Sequence, residues 1–542
     1  MNFFYKNTPL EIYSHNARVQ YDINRDININ LLRRDFNRLI SKLSIKHNST
    51  EYWLMKISER NTLTHDLFLD FCRIHLVDLL KDKYSNIDIH TNNCALYSYY
   101  EDQITMSKID RMLFFFKKFF EMNRPYFQLL KFVLKGLFFH VRFSRKKFTR
   151  NLDDHVVIQT WASDNNFIKN NFIDGYYSDL AQYLRINGKK VVTWIAFYNI
   201  NKQKKAVDFI RSNQSDYLIM EDYLKPIDYI RPIVIFFKKR FFNFSEIKLN
   251  EKNLSNVFHY YQKIETLNYS FLFLSLFRRL MLLSCKNITF IQHFENMISE
   301  KSLILGVKKY LPESIIIGYF HTSKPKNLLC LDYASKKEFD IAPKPNVVIF
   351  NSDFYKAYFE NKYNNFSAYS GYAFKQAYLL NYKLRPIALN KKILVLFSGV
   401  ASDIETMFCL LNKTSFSGEF LFRMHPMNHF DINKYYSKKN YKIYNCDDKN
   451  LGAVFGETYK VISTYSASLL ESSICGLHVG LVYNKERLLL NPFDDTPVTN
   501  YSLISSVDDM RIFLEIDVCQ RYTDNIFNVD KSLYSSFLQR AI

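Results

Sequence analysis

The chain has 542 residues, 48% of them hydrophobic, and a formal charge of +20 from 73 basic and 53 acidic residues. That length holds two or three domains with sizeable cores, and that hydrophobic content excludes a disordered chain. A positive excess of this size attracts polyanions: nucleic acid, anionic lipid, acidic glycans or nucleotide sugars.

The eight cysteines (Cys72, Cys94, Cys285, Cys330, Cys409, Cys446, Cys475, Cys519) lie far apart, with no CxxC pair. Neither a zinc finger nor a disulfide framework is indicated, and reduced thiols in the cytoplasm are the simpler expectation. The opening MNFFYKNTPLEIYSHN has no basic stretch followed by an apolar core, so it does not read as a secretory signal. No uncharged apolar run approaches the ~18 residues that span a bilayer. The expectation is a cytoplasmic protein, soluble or lying on the inner face of the membrane.

Residues 1–107 read as an α/β accessory region, with a strand at Tyr52–Ile57, a helix at Asp66–Asp82 and a strand at Ile87–Thr91. Residues 108–150 change character. Phe and Leu alternate with Lys and Arg, and acidic residues nearly vanish after Glu121. This basic amphipathic segment fits an interfacial membrane helix docking on anionic lipid. A buried helical hairpin with a basic solvent face fits equally well. A second basic aromatic run, Ile233–Phe244, adds to the membrane reading. Such runs can also stack single-stranded nucleic acid, but no RNP-type motif or zinc knuckle accompanies them, so no nucleic-acid partner is expected.

At Asp153 a new pattern begins, taken as a Rossmann-like domain over 151–345. A buried strand, His155–Thr160, leads through a polar loop to a helix at Ser178–Ile186 and a strand at Lys190–Ala196. Further strands are expected at Tyr217–Met220, Ile288–Gln292 and Ile315–Tyr319. No GxGxxG or Walker loop occurs, which argues against a dinucleotide enzyme or a P-loop ATPase. Pro343 and Pro345 mark the expected crossing into a second Rossmann-like domain, 346–504, whose sheet would start at Val347–Phe350. The helix Ser505–Ile516, opening the segment 505–542, is expected to pack back onto the first domain.

The stretch Lys391–Asn484 carries the strongest signal. Apolar runs stop at small or polar residues: Ile393–Phe397 at Ser398-Gly399, Phe420–Arg423 at His425-Pro426, Tyr459–Ile462 at Ser463-Thr464. This is the strand–loop–helix rhythm of an open parallel sheet, which binds ligands at the carboxyl ends of its strands. Ser463, Thr464, Ser466 and Ser468 crowd the start of a helix over Leu469–Cys475. Unpaired N–H groups, the dipole and added hydroxyls together suit a phosphate. Pro426 cannot continue a ladder, so His425 is directed towards the strand ends, where it can donate to a phosphate oxygen. Arg423 is placed to assist, and Ser398 with Gly399 can form a backbone nest.

These motifs resemble the carboxy-terminal half of GT-B glycosyltransferases. The likeness is to enzymes of bacterial surface polysaccharides that use CMP-activated sialic acid, other nonulosonates or Kdo; CDP-polyol phosphotransferases share a similar His-Pro signal. The resemblance implies two Rossmann-like domains facing a cleft, with a nucleotide-sugar donor and a glycan or lipid-linked glycan acceptor. It implies a ribose contact for Glu471. Asp174-Gly175 resembles the acidic-Gly motif that supplies the base in sialyltransferase-like enzymes, with a single acidic residue where the family often has two; Asp164 in the same loop is a rival. Glu295 in FENM looks like a second acidic motif of related enzymes, and His321 in GYFHTS sits where polyol phosphotransferases place a catalytic histidine. No Asp-x-Asp pair or HExxH is present, so no metal or other cofactor is expected. A CMP leaving group carries one phosphate, which protein donors can stabilise unaided.

Overall fold

The structure is a computed structural model. It describes residues 1–542 except 144–148, 169–170, 199, 250, 364–365, 382–391, 417, 426–429, 436–441, 448–450, 517–525 and 541–542.

Residues 1–107 form a small mixed sheet packed on helices. Its strands are β1 (Asn2–Tyr5), β2 (Glu11–Ser14), β3 (Ala17–Arg18) and β4 (Asp88–Thr91), in the order β1-β4-β2-β3. The helices Ile29–Lys46 and Leu67–Lys83 share its core, and the helix Lys108–Arg142 packs on β1, where Tyr5 meets Phe114 at 5.2 Å. The stretch expected as a strand at Tyr52–Ile57 is instead two helical turns, Thr50–Trp53 and Lys56–Glu59. Ser49 caps the first by accepting from Tyr52 N at 3.3 Å. Capping and the burial of Tyr52 and Trp53 outweigh the β preference of the aromatics. The region 108–150 is built on one uninterrupted helix, Lys108–Arg142, not a hairpin.

Two parallel sheets follow. The first contains β5 (His155–Ala162), β6 (Lys190–Phe197), β7 (Tyr217–Leu218), β8 (Thr289–His293), β9 (Ile315–Phe320), β10 (Val347–Phe350) and β11 (Ala368–Ser370). Their spatial order is β11-β10-β9-β8-β5-β6-β7. The second contains β12 (Lys392–Leu396), β13 (Glu419–Arg423), β14 (Lys442–Asn445), β15 (Lys460–Ser463), β16 (His478–Val482) and β17 (Tyr501–Ile504), in the order β14-β13-β12-β15-β16-β17. Both sheets are doubly wound. In each, the order reverses beside the first strand, so a switch point lies between β5 and β8 and another between β12 and β15. The strands read as near-continuous apolar runs because helices cover both faces; β8 and β16 are buried at every position. This is the two-domain Rossmann-like arrangement of the GT-B fold.

Two boundaries differ from the sequence reading. The strand Val347–Phe350 does not open the second sheet; as β10 it pairs with β9 in the first. Asn346 fixes this, donating its N–H to Ile316 O at 2.9 Å and accepting from Ile316 N at 2.9 Å. The prolines only lead the chain from the helix Lys336–Ile341 into a further parallel strand. The crossing comes later, through the 3-10 helix Phe374–Asn381.

The helix expected to return to the first domain, Val507–Glu515, instead packs on the second sheet. Met510 and Phe513 sit in its core, and Lys460 Nζ donates to Phe513 O at 2.6 Å. Residues beyond it make the return. Asn528 N donates to Asn351 O at 2.8 Å, Ala373 N donates to Asn528 O at 2.7 Å, and Phe537 is fully buried against Tyr319 and Phe374.

The accessory region touches both domains. Arg60 pairs with Glu338, and Lys301 Nζ donates to Ser58 O at 2.7 Å, both on the first-domain side. Tyr483 OH donates to Asp22 at 2.9 Å, and Ile23 N donates to Lys485 O at 2.9 Å, both on the second.

Candidate functional site

The carboxyl end of β8 runs through His293 and Phe294 to Glu295, and that of β9 runs from Phe320 to His321. His321 Nε2 lies 3.6 Å from Glu295 Oε1. The turn that presents Glu295 is locked. Asn296 takes a left-handed conformation (φ 62°), a strained state that asparagine tolerates. Tyr333 OH donates to its side chain at 3.1 Å. Glu295 N donates to the buried Glu300 carboxylate at 2.7 Å.

His293 shares the cluster. Its ring stacks on Tyr177 at 4.9 Å, and lies 4.4 Å from Tyr176 and 4.7 Å from His321. It is buried, and neither ring nitrogen has a hydrogen-bond partner among the described residues. Burial, His293 and the charge of Lys375 push the His321 imidazole well below its ordinary 6.5. Burial likewise raises the Glu295 carboxyl, against the opposing pull of Lys375 and Thr322.

Asp174 occupies the loop beside this cluster. Its Oδ1 accepts from Thr160 Oγ1 at 3.0 Å, Tyr176 N at 2.8 Å and Tyr177 N at 3.1 Å. The carboxylate therefore pins the turn that sets the two tyrosines against His293, while burial raises its pKa. Asp164 accepts from Asn201 N at 2.9 Å and Lys202 N at 3.0 Å, which anchors a neighbouring loop.

On the second domain, Ser398 and Gly399 follow β12. Ser398 Oγ accepts from Val400 N at 3.1 Å and donates to Asp403 at 3.2 Å. The His425 ring lies over Gly399, where a Cβ would meet Nδ1 at 3.5 Å. Burial and Lys375 lower the His425 pKa. Pro426 lies outside the described residues. Arg423 donates to Cys446 O at 3.2 Å, which ties the strand end to the next loop.

The serine-rich turn divides between roles. Ser463 is buried inside β15 and donates to Leu396 O at 2.8 Å, so it belongs to the sheet and not to a phosphate cradle. Ser466 caps the helix Ala467–Ile474 by accepting from Ser468 N at 3.2 Å. Thr464 lines a pocket at the carboxyl ends of β12, β15 and β16, together with Asp403, Tyr465, Asn484, Arg487 and Thr62 of the accessory region. Glu471 is buried. Its two oxygens accept from Gln376 at 3.1 Å and Tyr378 at 2.6 Å, so it holds the crossing helix and not a ribose.

Lys375 is an exposed residue of that crossing helix. Its charge acts on His293, Glu295 and His321 of the first domain and on His425 of the second. Sequence reasoning missed it, because a lysine outside any strand–loop–helix unit carries no signal. His293 had one: it precedes Glu295 in the same strand end. Among the described residues, no group of three or more His, Cys, Asp or Glu is placed to hold a metal ion.

No protein-family model matches the sequence, and no curated protein matches it. Solved structures similar in chain path include the Staphylococcus aureus MnaA–UDP complex, at 10% identity over 66% of this chain and 86% of that one, TM-score 0.37. Acinetobacter baumannii MurG is 11% identical over 66% and 82%, TM-score 0.31. The wall teichoic acid polymerase TagF is 9% identical over 76% and 90%, TM-score 0.32.

Proposed function

We propose that this protein is a GT-B glycosyltransferase that moves a sugar from a nucleotide donor to an acceptor hydroxyl in the cleft between its two sheets. The observation that carries it is a His321–Glu295 pair at the strand ends of one sheet and His425 over Gly399 at those of the other, both within the electrostatic reach of Lys375. His321, held neutral, takes the proton of the acceptor hydroxyl, and Glu295 steadies the imidazolium that forms. The acceptor oxygen bonds to the anomeric carbon, and the bond from that carbon to the donor phosphate oxygen breaks. The nucleotide leaves with that electron pair, stabilised by Lys375 and by an N–H of His425. Thr464, Asp403 and Arg487, grouped at the same strand ends, are assigned to the side of the cleft that meets the nucleotide. The motif resemblance supports a CMP-linked nonulosonate or Kdo as the donor and a growing surface glycan as the acceptor.

A second reading rests on the two histidines. One at each set of strand ends also suits transfer of a polyol phosphate from a CDP donor, where one takes the acceptor proton and the other donates to the leaving nucleotide.

Binding of CMP, CDP, UDP and GDP, followed by turnover with a CMP-sugar and with CDP-glycerol, tests and separates the two. His321→Ala and Glu295→Gln should each lower turnover by roughly 10²-fold or more with nucleotide binding retained. Full turnover in a correctly folded His321→Ala variant would overturn the assignment of the base.

A further inference from the structure

The helix Lys108–Arg142 buries one narrow line of residues: Phe114, Pro125, Gly136 and Phe139. Gly136 is required there, since a Cβ would overlap the Tyr229 ring. The opposite side is apolar and open. Ile109, Met112, Phe116, Phe119, Phe120, Phe127, Leu130, Leu134, Phe138 and Val141 are all exposed, Phe127 to 71% and Val141 to 75%. Apart from the adjacent Phe119 and Phe120 and the seven-residue step from Phe120 to Phe127, these positions recur at three- and four-residue steps, and all fall on one helical face. Contiguous exposed apolar surface of this kind marks an interaction site.

A second ribbon lies beside it. Ile227, Ile230, Val234, Phe237 and Phe241, on the turn Pro226–Tyr229, the helix Arg231–Lys238 and the turn that follows, are exposed at steps of three, four, three and four. Tyr126 packs on Phe236 at 5.7 Å and on Phe237 at 6.4 Å, while Phe132 meets Tyr229 at 6.2 Å. The ribbons thus run antiparallel in contact, and two distant parts of the chain present one apolar platform.

The edge of that platform is charged. Lys117, Arg124, Lys131, Lys135 and Arg142 follow at steps of seven, seven, four and seven, which places them on one stripe along the apolar face. Only Asp110 and Glu121 are acidic in the whole helix. No helix among the described residues is long and apolar enough to cross a membrane.

We infer that this two-ribbon platform lies flat on an anionic bilayer surface, with the aromatic and aliphatic side chains in the acyl boundary and the lysine–arginine stripe at the headgroups. A second copy is a poorer occupant, since closing two such faces would bring two basic stripes together. Long basic side chains instead reach headgroups while their stems stay apolar.

Co-sedimentation of the full chain with phosphatidylcholine vesicles and with phosphatidylcholine–phosphatidylglycerol vesicles tests this. Binding should require the anionic lipid and fall as salt shortens the screening length. Each basic group near such a surface is worth about fivefold in partitioning, so Lys131→Glu with Lys135→Glu should lower it by about 25-fold or more. Phe127→Glu with Val234→Glu, one substitution on each ribbon, should abolish it. Each variant should keep the wild-type melting temperature and nucleotide binding, because these side chains are exposed. A Phe119→Trp probe should shift its emission to the blue on anionic vesicles. Equal binding to both vesicle types, absence of binding, or a lipid-free dimer dispersed by the same substitutions would each overturn the inference.

Discussion

Burial and charge hold His321 neutral, and the direction of that shift has a kinetic consequence. A base works in its unprotonated form, and the proposed base, His321, is pushed well below 6.5 by desolvation, by His293 and by Lys375. As pH falls through 6.5 the imidazole therefore stays neutral, and the acid limb of kcat/KM should appear only at lower pH. Replacing Lys375 by Met removes one depressing charge, so the limb should move upward, towards 6.5. The same substitution should weaken donor binding, as loss of a cation facing a phosphate does. A pH–kcat/KM profile of both proteins checks this. An unmoved limb would show that Lys375 does not act on the base.

At the scale of elements, Glu471 of the helix Ala467–Ile474 fastens the crossing helix Phe374–Asn381. Glu471→Ala strips two buried or half-buried donors of their acceptor, at about 1–3 kcal/mol each. The expected outcome is a destabilisation of about 2–5 kcal/mol in denaturant unfolding, together with a loss of turnover larger than any change in nucleotide affinity. The inner parallel strands could be read from the sequence, because a strand covered on both faces is an unbroken apolar run bounded by polar residues; the edge strands β11, β14 and β17, short and mixed in polarity, could not. The ends of β8, β9 and β12 likewise gave Glu295, His321, Ser398 and Gly399. What escaped was pairing. Val347–Phe350 looks the same in either sheet, and only the Asn346–Ile316 hydrogen bonds assign it. Hydroxyls were over-read for the same reason: Ser463 and Thr464 are adjacent and chemically alike, yet the strand turns one into the sheet and leaves the other at a pocket. Lys375 and the antiparallel apolar ribbons are products of tertiary contact and have no local periodicity that announces their meeting.

For the whole molecule, the chain crosses between domains twice, through Phe374–Asn381 and again in the return that ends at residues 526–540. The second crossing completes the first domain. Phe537 lies 5.7 Å from Tyr319 and 5.4 Å from Phe374, with no exposed surface. Phe537→Ala should cost about 3–5 kcal/mol. Hydrogen exchange should place that loss on β9 and β10, far away in sequence. A loss confined to the last few residues would contradict this packing.

The accessory region, held by Arg60–Glu338 and Lys301–Ser58 on one side and by Tyr483–Asp22 on the other, turns an arch with two supports into a braced frame. Two sheets joined by crossings alone can swing about them, and a ligand must then supply the work of closing. A brace seated on both restrains that swing before any ligand arrives. For the proposed transferase the space between the sheets then serves as a gauge: an acceptor of the right reach should enter at little conformational cost, and a longer one should be turned away by geometry.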